Sequence, residues 1–444
     1  AVGSPLFRRG RQPPDAADVS ADRIALKRYV NGVWVTQAAV PGSEENFNWG
    51  NGMAIDHNAT IVAAGYGANS LRLYDVVEGG CGNSGEVPAY PHPDTSACED
   101  TALTINSTSP VFHLALSGNM LAFEDSIGFN GKDTSAVRFF AIQDGWRALP
   151  VQTENFTHHR HQDVALAASG TVAAVLVKGD TDDDPDSVRM FRLHSHINET
   201  DRVGERKTAA GIFQRNPTPV WAQELGSIRG GKFDVSMRGI TFNGDGTTIA
   251  VGGYTLDEQD FPQNYTVQAY MLEKDTWTLM GSSISMSSAM GQCSLSSSGR
   301  VLAVGDSWFG EEREGRVRIF EFQNGEWEMK AEFVGETDPD ASPHDKEEDE
   351  YLGYAMSFKG DGTLLVVGVP KGRDLYGTPE VGAVNVYRRT AADGTTWALR
   401  DRFSTGDRYD GFGCSVALSA DGRRMAVGSC SNGYRSRLRL YEYD

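Results

Sequence analysis

From about residue 21 onward the chain is written in short runs of alternating apolar and polar residues, each bounded by Gly, Asp, Asn or Ser. That period of two predicts strands with one buried face. One unit recurs seven times. Its clearest copies are GCSVALSADGRRMAVGS from Gly413, GYAMSFKGDGTLLVVGV from Gly353 and GITFNGDGTTIAVGG from Gly239. Each reads as strand, tight turn, strand. Val416 and Leu418 mark a buried face, while Asp245-Gly246, Asp361-Gly362 and Asp421-Gly422 offer the positive φ of a two-residue hairpin loop. The Gly that follows the second strand, as in Ala-Val-Gly428, is expected to let the backbone turn at the end of the unit.

A third strand follows in every copy, written apolar, variable, apolar, aromatic. Its aromatics are Tyr74, Phe140, Phe191, Tyr270, Phe320, Tyr387 and Tyr441. A polar turn then leads to a Trp that opens a fourth strand, at Trp146, Trp277, Trp327 and Trp397, with Trp221 in the same part after a longer loop. A Trp at a repeated position is expected to pack between units rather than to stack on carbohydrate.

A chain of 444 residues exceeds the size at which one hydrophobic core stops growing, so the repeats predict a closed array. The fold class expected is all-β, a seven-bladed β-propeller of four-stranded blades spanning residues 21–444, preceded by an irregular arm at 1–20 rich in Arg and Pro. The last copy ends just after its third strand, whereas RIALKRYVNGVWVTQ near the N-terminus holds an Asn-Gly turn and Trp34. The N-terminal segment is therefore expected to supply the missing fourth strand and close the ring, removing exposed sheet edges. Leu26 to Tyr29 resembles a further third strand, so the closing blade has room for an extra one.

The sequence written aromatic or apolar, Gly, strand, Asp-Gly, Ala-Val-Gly, loop, Gly-x-Val-x-aromatic resembles the FG-GAP repeat of integrin α-subunit propellers and their eukaryotic microbial relatives. It stands here as Phe412-Gly413 to Gly428, Leu352-Gly353 to Gly368 and Trp49-Gly50 to Gly65, and covers nearly the whole chain from Ile24. The resemblance implies an extracellular adhesion or interaction module. The family's calcium signature, Asp-x-Asp-x-Asp-Gly, is absent from all seven copies, whose loops SADGRR, KGDGTL and SSSGRV carry one carboxylate or none. A hard cation wants six to eight oxygens, so calcium is left open as a ligand elsewhere and not in those loops. Gly-His with Trp-Asp pairs and repeated Gly-Gly signatures of other propeller families are also missing.

Charge and modification signals narrow the function. Asp plus Glu number 60 against 41 Lys plus Arg, a net charge of −19 that repels nucleic acid and anionic lipid. No stretch reaches the length of a membrane-spanning helix. Five sequons, at Asn58, Asn106, Asn155, Asn198 and Asn264, accept N-glycans if the chain is secreted. The start at Ala1 fits a processed mature terminus. Cys81 and Cys98 bracket a Gly- and Pro-rich insert at about 77–105 and are expected to bond; Cys414 and Cys430 fall opposite each other if Asp421-Gly422 centres its hairpin, which makes a second pair. Cys293 takes the repeat position of Val416 and is expected to be a buried, inert thiol.

Acidic loops concentrate on the face that carries the second-to-third-strand and inter-blade connections. They include Asp180, Asp182, Asp184 and Asp186, then Glu311, Glu312 and Glu314, then Glu336 through Glu350. A solvated rim and a cation- or partner-binding face both fit. Asp180, Asp182, Asp184 and Asp186 are the candidate metal ligands, with His158, His159 and His161 in a neighbouring loop. No nucleophile elbow, phosphate loop, zinc-protease motif or dinucleotide fingerprint occurs, so a catalytic centre is not expected. The reading is a non-catalytic extracellular or cell-surface protein that meets a protein or glycan on its acidic loop face or assembles with itself. A secreted carbohydrate-active enzyme and a calcium-dependent lectin-like binder on the same scaffold are the alternatives.

Overall fold

The computed structural model describes residues 23–30, 33–41, 53–56, 61–65, 70–75, 103–107, 111, 113–127, 134–143, 147–157, 163–177, 187–194, 220–222, 225–229, 232–233, 239–256, 262–287, 292–311, 313–335, 350–372, 381–390, 396–404, 411–429 and 437–442. Among these residues every regular element is a strand. The N-terminal strands β1 (Arg23–Val30) and β2 (Val33–Pro41) form an antiparallel hairpin. A four-stranded sheet follows from β3 (Met53–Ile55), β4 (Ile61–Gly65), β5 (Ser70–Asp75) and β6 (Leu103–Asn106), and a second from β7 (Leu114–Ser117), β8 (Met120–Ile127), β9 (Thr134–Gln143) and β10 (Arg147–Thr157). The third sheet holds β11 (Val164–Leu166), β12 (Val172–Val177), β13 (Ser187–His194) and β14 (Val220–Ala222), with β15 (Ser227–Arg229) also on β13. In the fourth, β16 (Lys232–Phe233) and β17 (Ile240–Phe242) both pair with β18 (Thr248–Leu256); β19 (Pro262–Glu273) then carries β20 (Thr276–Leu279) and β21 (Ile284–Ser285).

The fifth sheet is β22 (Cys293–Leu295), β23 (Val301–Asp306), β24 (Arg316–Gln323) and β25 (Glu326–Val334); the sixth is β26 (Ala355–Phe358), β27 (Leu364–Val369), β28 (Ala383–Arg389) and β29 (Trp397–Ser404). The last holds β30 (Phe412–Leu418), β31 (Arg424–Ser429) and β32 (Arg437–Glu442), extended by β1 and then β2. Here the sequence expectation needs correction. The strand beside β32 is β1, running parallel to it with Leu26 opposite Leu440, and the Trp34 strand lies fifth. The Leu26–Tyr29 segment is the extra strand, inserted between third strand and Trp strand.

The first strands of neighbouring sheets touch in sequence: β3 with β7, β7 with β11, β11 with β17, β17 with β22, β22 with β26, β26 with β30, and β30 with β3. Small residues allow this approach, because Ala54, Ala115, Ala165, Thr241, Ser294, Ser357 and Ala417 share one register position. The turns after these strands are linked by a belt of backbone hydrogen bonds. Ser169 N–H donates to Gly244 O at 3.0 Å, Gly244 to Ser297 at 3.0 Å, Ser297 to Gly360 at 2.8 Å and Gly360 to Ala420 at 2.9 Å.

The hydrophobic core lies between sheets, not inside them. One cluster joins Val301, Ala303 and Ile319 of the fifth sheet to Leu352, Phe358 and Trp397 of the sixth; another joins Val366 and Val386 of the sixth to Phe412, Val416 and Met425 of the last. Among the described side chains, Trp277, Trp327 and Trp397 belong to this packing, as expected, while Trp146 lies outside the described residues. The indole N–H of Trp277 donates to Leu225 O at 2.9 Å and that of Trp327 to Met280 O at 2.6 Å, each reaching the preceding unit. A repeated Arg in the third strand does the same from the other end: Arg138 donates to Asn106 O at 2.7 Å, and Arg318 donates to Ser285 O.

Two local expectations change. The Asp-Gly turns are four-residue loops, not two-residue ones. Lys359 N–H donates to Leu364 O at 2.9 Å, Gly362 N–H closes on Lys359 O at 2.8 Å, and Gly362 takes φ +69°. Asp361 is the turn's own acceptor, bonded by Thr363 N–H at 2.9 Å and Thr363 Oγ1 at 2.6 Å. At two junctions the Gly near the end of the second strand serves a different purpose from bending. A Cβ on Gly305 would overlap Gly353 O, and a Cβ on Gly368 would overlap Gly413 O. Beside them Gly315 bridges Leu352 and Gly382 bridges Phe412. The glycines of three motif segments therefore meet at one junction, where two units' backbones come closer than any side chain permits.

Candidate functional site

The sequence-predicted site residues divide sharply. Asn58, Asn198, Cys81, Cys98, Cys430, Asp180, Asp182, Asp184, Asp186, His158, His159 and His161 lie outside the described residues. The arm at 1–20 does too, and the insert at about 77–105 enters them only at β6. Asn106 ends β6 and is exposed. Asn264 is exposed at φ +47°, its side-chain amide donating to Thr255 Oγ1 at 3.0 Å. Asn155 falls in β10, opposite Ala136. Among the described residues no group of three or more His, Cys, Asp or Glu is placed to hold a metal ion.

Cys414 is disulfide-bonded, and its Sγ lies 3.5 Å from Gly428 O. The register is one residue off the expected centring. Val416 pairs with Val427 and Ser415 with Gly428, and an irregularity between Phe412 and Ser415 absorbs Cys414. Cys293 is buried and free, with Gly239 O 3.7 Å from its Sγ. Burial, aided by the Asp163 charge, pushes its thiol up to about 12.

The loop face does carry one built feature, between the fifth and sixth sheets. Trp308 is 41% exposed, in the loop from β23 to β24. The Arg313 guanidinium lies over its ring at 4.9 Å and donates to Tyr351 Oη at 3.4 Å; the Lys371 ammonium sits 5.2 Å from the Tyr351 ring. Two aromatics and two cations thus alternate along the surface, an arrangement with modest stabilisation of about 0.5–1 kcal/mol per pair when exposed.

The backbone beneath is pinned. Phe309 N–H donates to Asp306 O at 3.1 Å, Gly315 to Phe309 at 3.0 Å, Tyr351 to Arg313 at 3.2 Å and Leu352 to Glu314 at 3.1 Å. Asp306 is fully buried and paired with Arg316 at 2.9 Å, whose guanidinium stacks on Phe309 at 3.8 Å. Glu350, also buried, pairs with Arg402 at 2.7 Å. Arg313 at φ +50° and Tyr351 at φ +56° hold left-handed conformations that cost a non-glycine residue energy, so the surrounding bonds must impose them. Of the expected acidic loops, Glu312 and residues 336–349 lie outside the described residues. Glu311 is exposed, whereas Glu314 folds back over Gly310, into space that any Cβ there would occupy.

No family model matches the chain, and no curated protein does. Among solved structures, the Cps50 (Swd1) β-propeller domain of Myceliophthora thermophila superposes with a TM-score of 0.51 at 12% identity, covering 88% of this chain and 96% of that one. The fold is a β-propeller. A Bacteroides uniformis protein provisionally described as a 6-phosphogluconolactonase gives 0.49 at 14% identity over 86% of this chain and 97% of its own, and U3-55K gives 0.45 at 12% over 86% and 89%. At these identities the likeness concerns the propeller scaffold alone.

Sequence reasoning singled out repeated Trp residues and passed over Trp308. Its signal was that it stands outside the repeat's Trp register, between an Asp that the turn buries and a Gly-flanked acidic loop, so no framework role claims it.

Proposed function

We propose that this protein is a closed, seven-bladed propeller that binds a protein or glycan partner through its loop face, outside the cell or at its surface, without catalysing a reaction. The observation that carries the binding reading is the Trp308–Arg313–Tyr351–Lys371 ladder. Large side chains of the types that dominate binding energies are held on a pinned loop, with Trp308 exposed. Closure is supported by the cyclic contacts of the first strands and by the N-terminal hairpin seated on β32. The extracellular reading draws on five sequons, with Asn106 and Asn264 exposed, and on Cys414 being disulfide-bonded, for which Cys430 is the partner we propose, as Cys98 is for Cys81. Kinship with FG-GAP propellers is supported by the physical sense of the motif, whose Phe-Gly and Ala-Val-Gly glycines meet across blades.

The test compares wild type with Trp308→Ala, offered to extracts of the native source and to a glycan array. Loss of a central aromatic anchor costs about 2 kcal/mol, roughly 30-fold in affinity. Retention of a ligand should fall by that factor while the thermal unfolding curve stays in place. Equal retention by the two proteins refutes this surface as the binding site.

A further inference from the structure

Two Asn-Gly pairs fall wholly among the described residues, Asn243-Gly244 and Asn324-Gly325, and the fold treats them in opposite ways. An asparagine followed by glycine has an intrinsic route to modification, because no Cβ hinders the glycine nitrogen from attacking the neighbouring side-chain amide. Asn243 is denied that route. It is buried, its Nδ2 donates to Asp245 Oδ1 at 2.9 Å, and its Oδ1 accepts the Thr248 N–H at 2.9 Å. The nucleophile is committed as well, since Gly244 N–H donates to Ser297 O at 3.0 Å in the belt that links neighbouring turns.

Asn324-Gly325 has none of these restraints. The pair forms the two-residue tip between β24 and β25, where Gln323 faces Glu326, and both residues are exposed and left-handed, at φ +53° and φ +86°. These are the angles of the tight hairpin turn that Asn-Gly favours, in which neither tip N–H takes part in the ladder. Among the described residues no hydrogen bond reaches the Asn324 side chain or the Gly325 N–H, and a Cβ placed on Gly325 would meet nothing within 4 Å. The chain just beyond is anchored. Glu326 Oε2 accepts the Ser282 N–H at 2.9 Å, and the Trp327 ring lies 5.3 Å from Phe322 while its indole N–H donates to Met280 O at 2.6 Å. An open tip thus sits on a fixed junction between the fourth and fifth sheets.

We propose that Asn324 is a site of spontaneous modification by water, converting to aspartate and isoaspartate while Asn243 stays an amide. The Gly325 nitrogen gives its proton to solvent base and bonds to Asn324 Cγ; the Cγ–Nδ2 bond breaks, and that nitrogen leaves as ammonia, giving a five-membered imide. Water then adds at one of the two imide carbonyls. Opening at Cγ restores the chain with an aspartate, whereas opening at the Asn324 main-chain carbonyl routes the chain through Cγ as isoaspartate. Ring closure requires Asn324 to leave its turn conformation, a local opening that exposed hairpin tips undergo at little cost. Either product adds a negative charge two residues from Glu326, and isoaspartate also lengthens a two-residue loop by one backbone atom. The turn then no longer matches the twist of its strands, and the strain falls on Trp327 and its bond to Met280 O. This chemistry is independent of any partner that the loop face binds.

The test holds the full-length protein in warm, mildly alkaline buffer, native and in parallel in concentrated urea, and follows both Asn-Gly peptides by mass spectrometry with fragmentation that separates isoaspartate from aspartate. In urea both pairs should convert. In the native protein only Asn324 is expected to convert, to both products, and Gly325→Ala should slow it about tenfold, equivalent to ~1.4 kcal/mol on the barrier. A native Asn324 that stays an amide while the urea sample converts overturns the proposal, as does a native Asn243 that converts as fast as Asn324. The converted protein, separated by anion exchange, should show a lowered Tm and altered Trp emission. Identical Tm and emission before and after conversion overturn the coupling of this site to the Trp327 junction.

Discussion

Replacing Gly368 by Ala tests the account of how the blades are locked. The added Cβ would fall inside the contact distance of Gly413 O, below the 3.0 Å that real Cβ atoms essentially never breach. Neither atom is the end of a flexible side chain, so relief requires the sixth and last sheets to part locally by about 1 Å, loosening Phe412 and Val384 in the core between them. Overpacking of this kind costs about 3 kcal/mol. With an unfolding entropy of about 2.1 cal/mol/K per residue over 444 residues, a cooperative transition moves by about 1 °C per kcal/mol, so Tm should drop by about 3 °C. Gly325→Ala is the control. Gly325 has φ +86° in a hairpin tip with nothing within 4 Å of a new Cβ, so only the left-handed strain of about 1 kcal/mol applies. Scanning calorimetry of both variants separates the two costs. A Gly368→Ala protein as stable as wild type, or no less stable than Gly325→Ala, would refute the inter-blade lock.

Two further outcomes follow from the titrating groups. Cys293, with its thiol pushed up to about 12, should resist iodoacetamide at pH 8 in the folded protein and react only on unfolding; labelling at the rate of a free thiol in native buffer contradicts its burial. Asp245, Asp361 and Asp421 are each subject to burial, which raises a carboxyl, but hydrogen bonds within their turns outweigh it and hold all three below the usual range. Such groups stabilise the fold above about pH 4 and lose that contribution as pH falls through their folded values. Tm should therefore hold from pH 7 to 5 and fall below about 4, less steeply in Asp361→Asn; an unchanged slope in that variant shows that the turn carboxylate contributes nothing.

Much of the framework was legible because repetition exposes it. Seven aromatics in one register and the recurring Trp announce strands and inter-blade packing before any coordinates. Two features were misread for physical reasons. Asp-Gly suggested a two-residue loop, whereas the Asp side chain caps Thr363 and lets Gly362 occupy the third place of a longer turn. Gly after the second strand suggested a bend, when at Gly305 and Gly368 the constraint is a backbone in the next blade, invisible to any local pattern. The N-terminal hairpin was placed on the correct sheet, but whether β1 or the Trp34 strand meets β32 depends on parallel pairing that alternation cannot specify. The candidate site was harder still. Trp308, Arg313, Tyr351 and Lys371 come from three separate connections, and only their geometry unites them.

The central claim is that this propeller is a glycosylated binding module of the cell exterior, and the most direct measurement is glycopeptide mass spectrometry of the protein from its native source, joined to electron microscopy of the same preparation. The account predicts glycans on the exposed Asn106 and Asn264 and particles associated with a partner or with one another. Unmodified sequons on solitary monomers would contradict it and return attention to an enzymatic role.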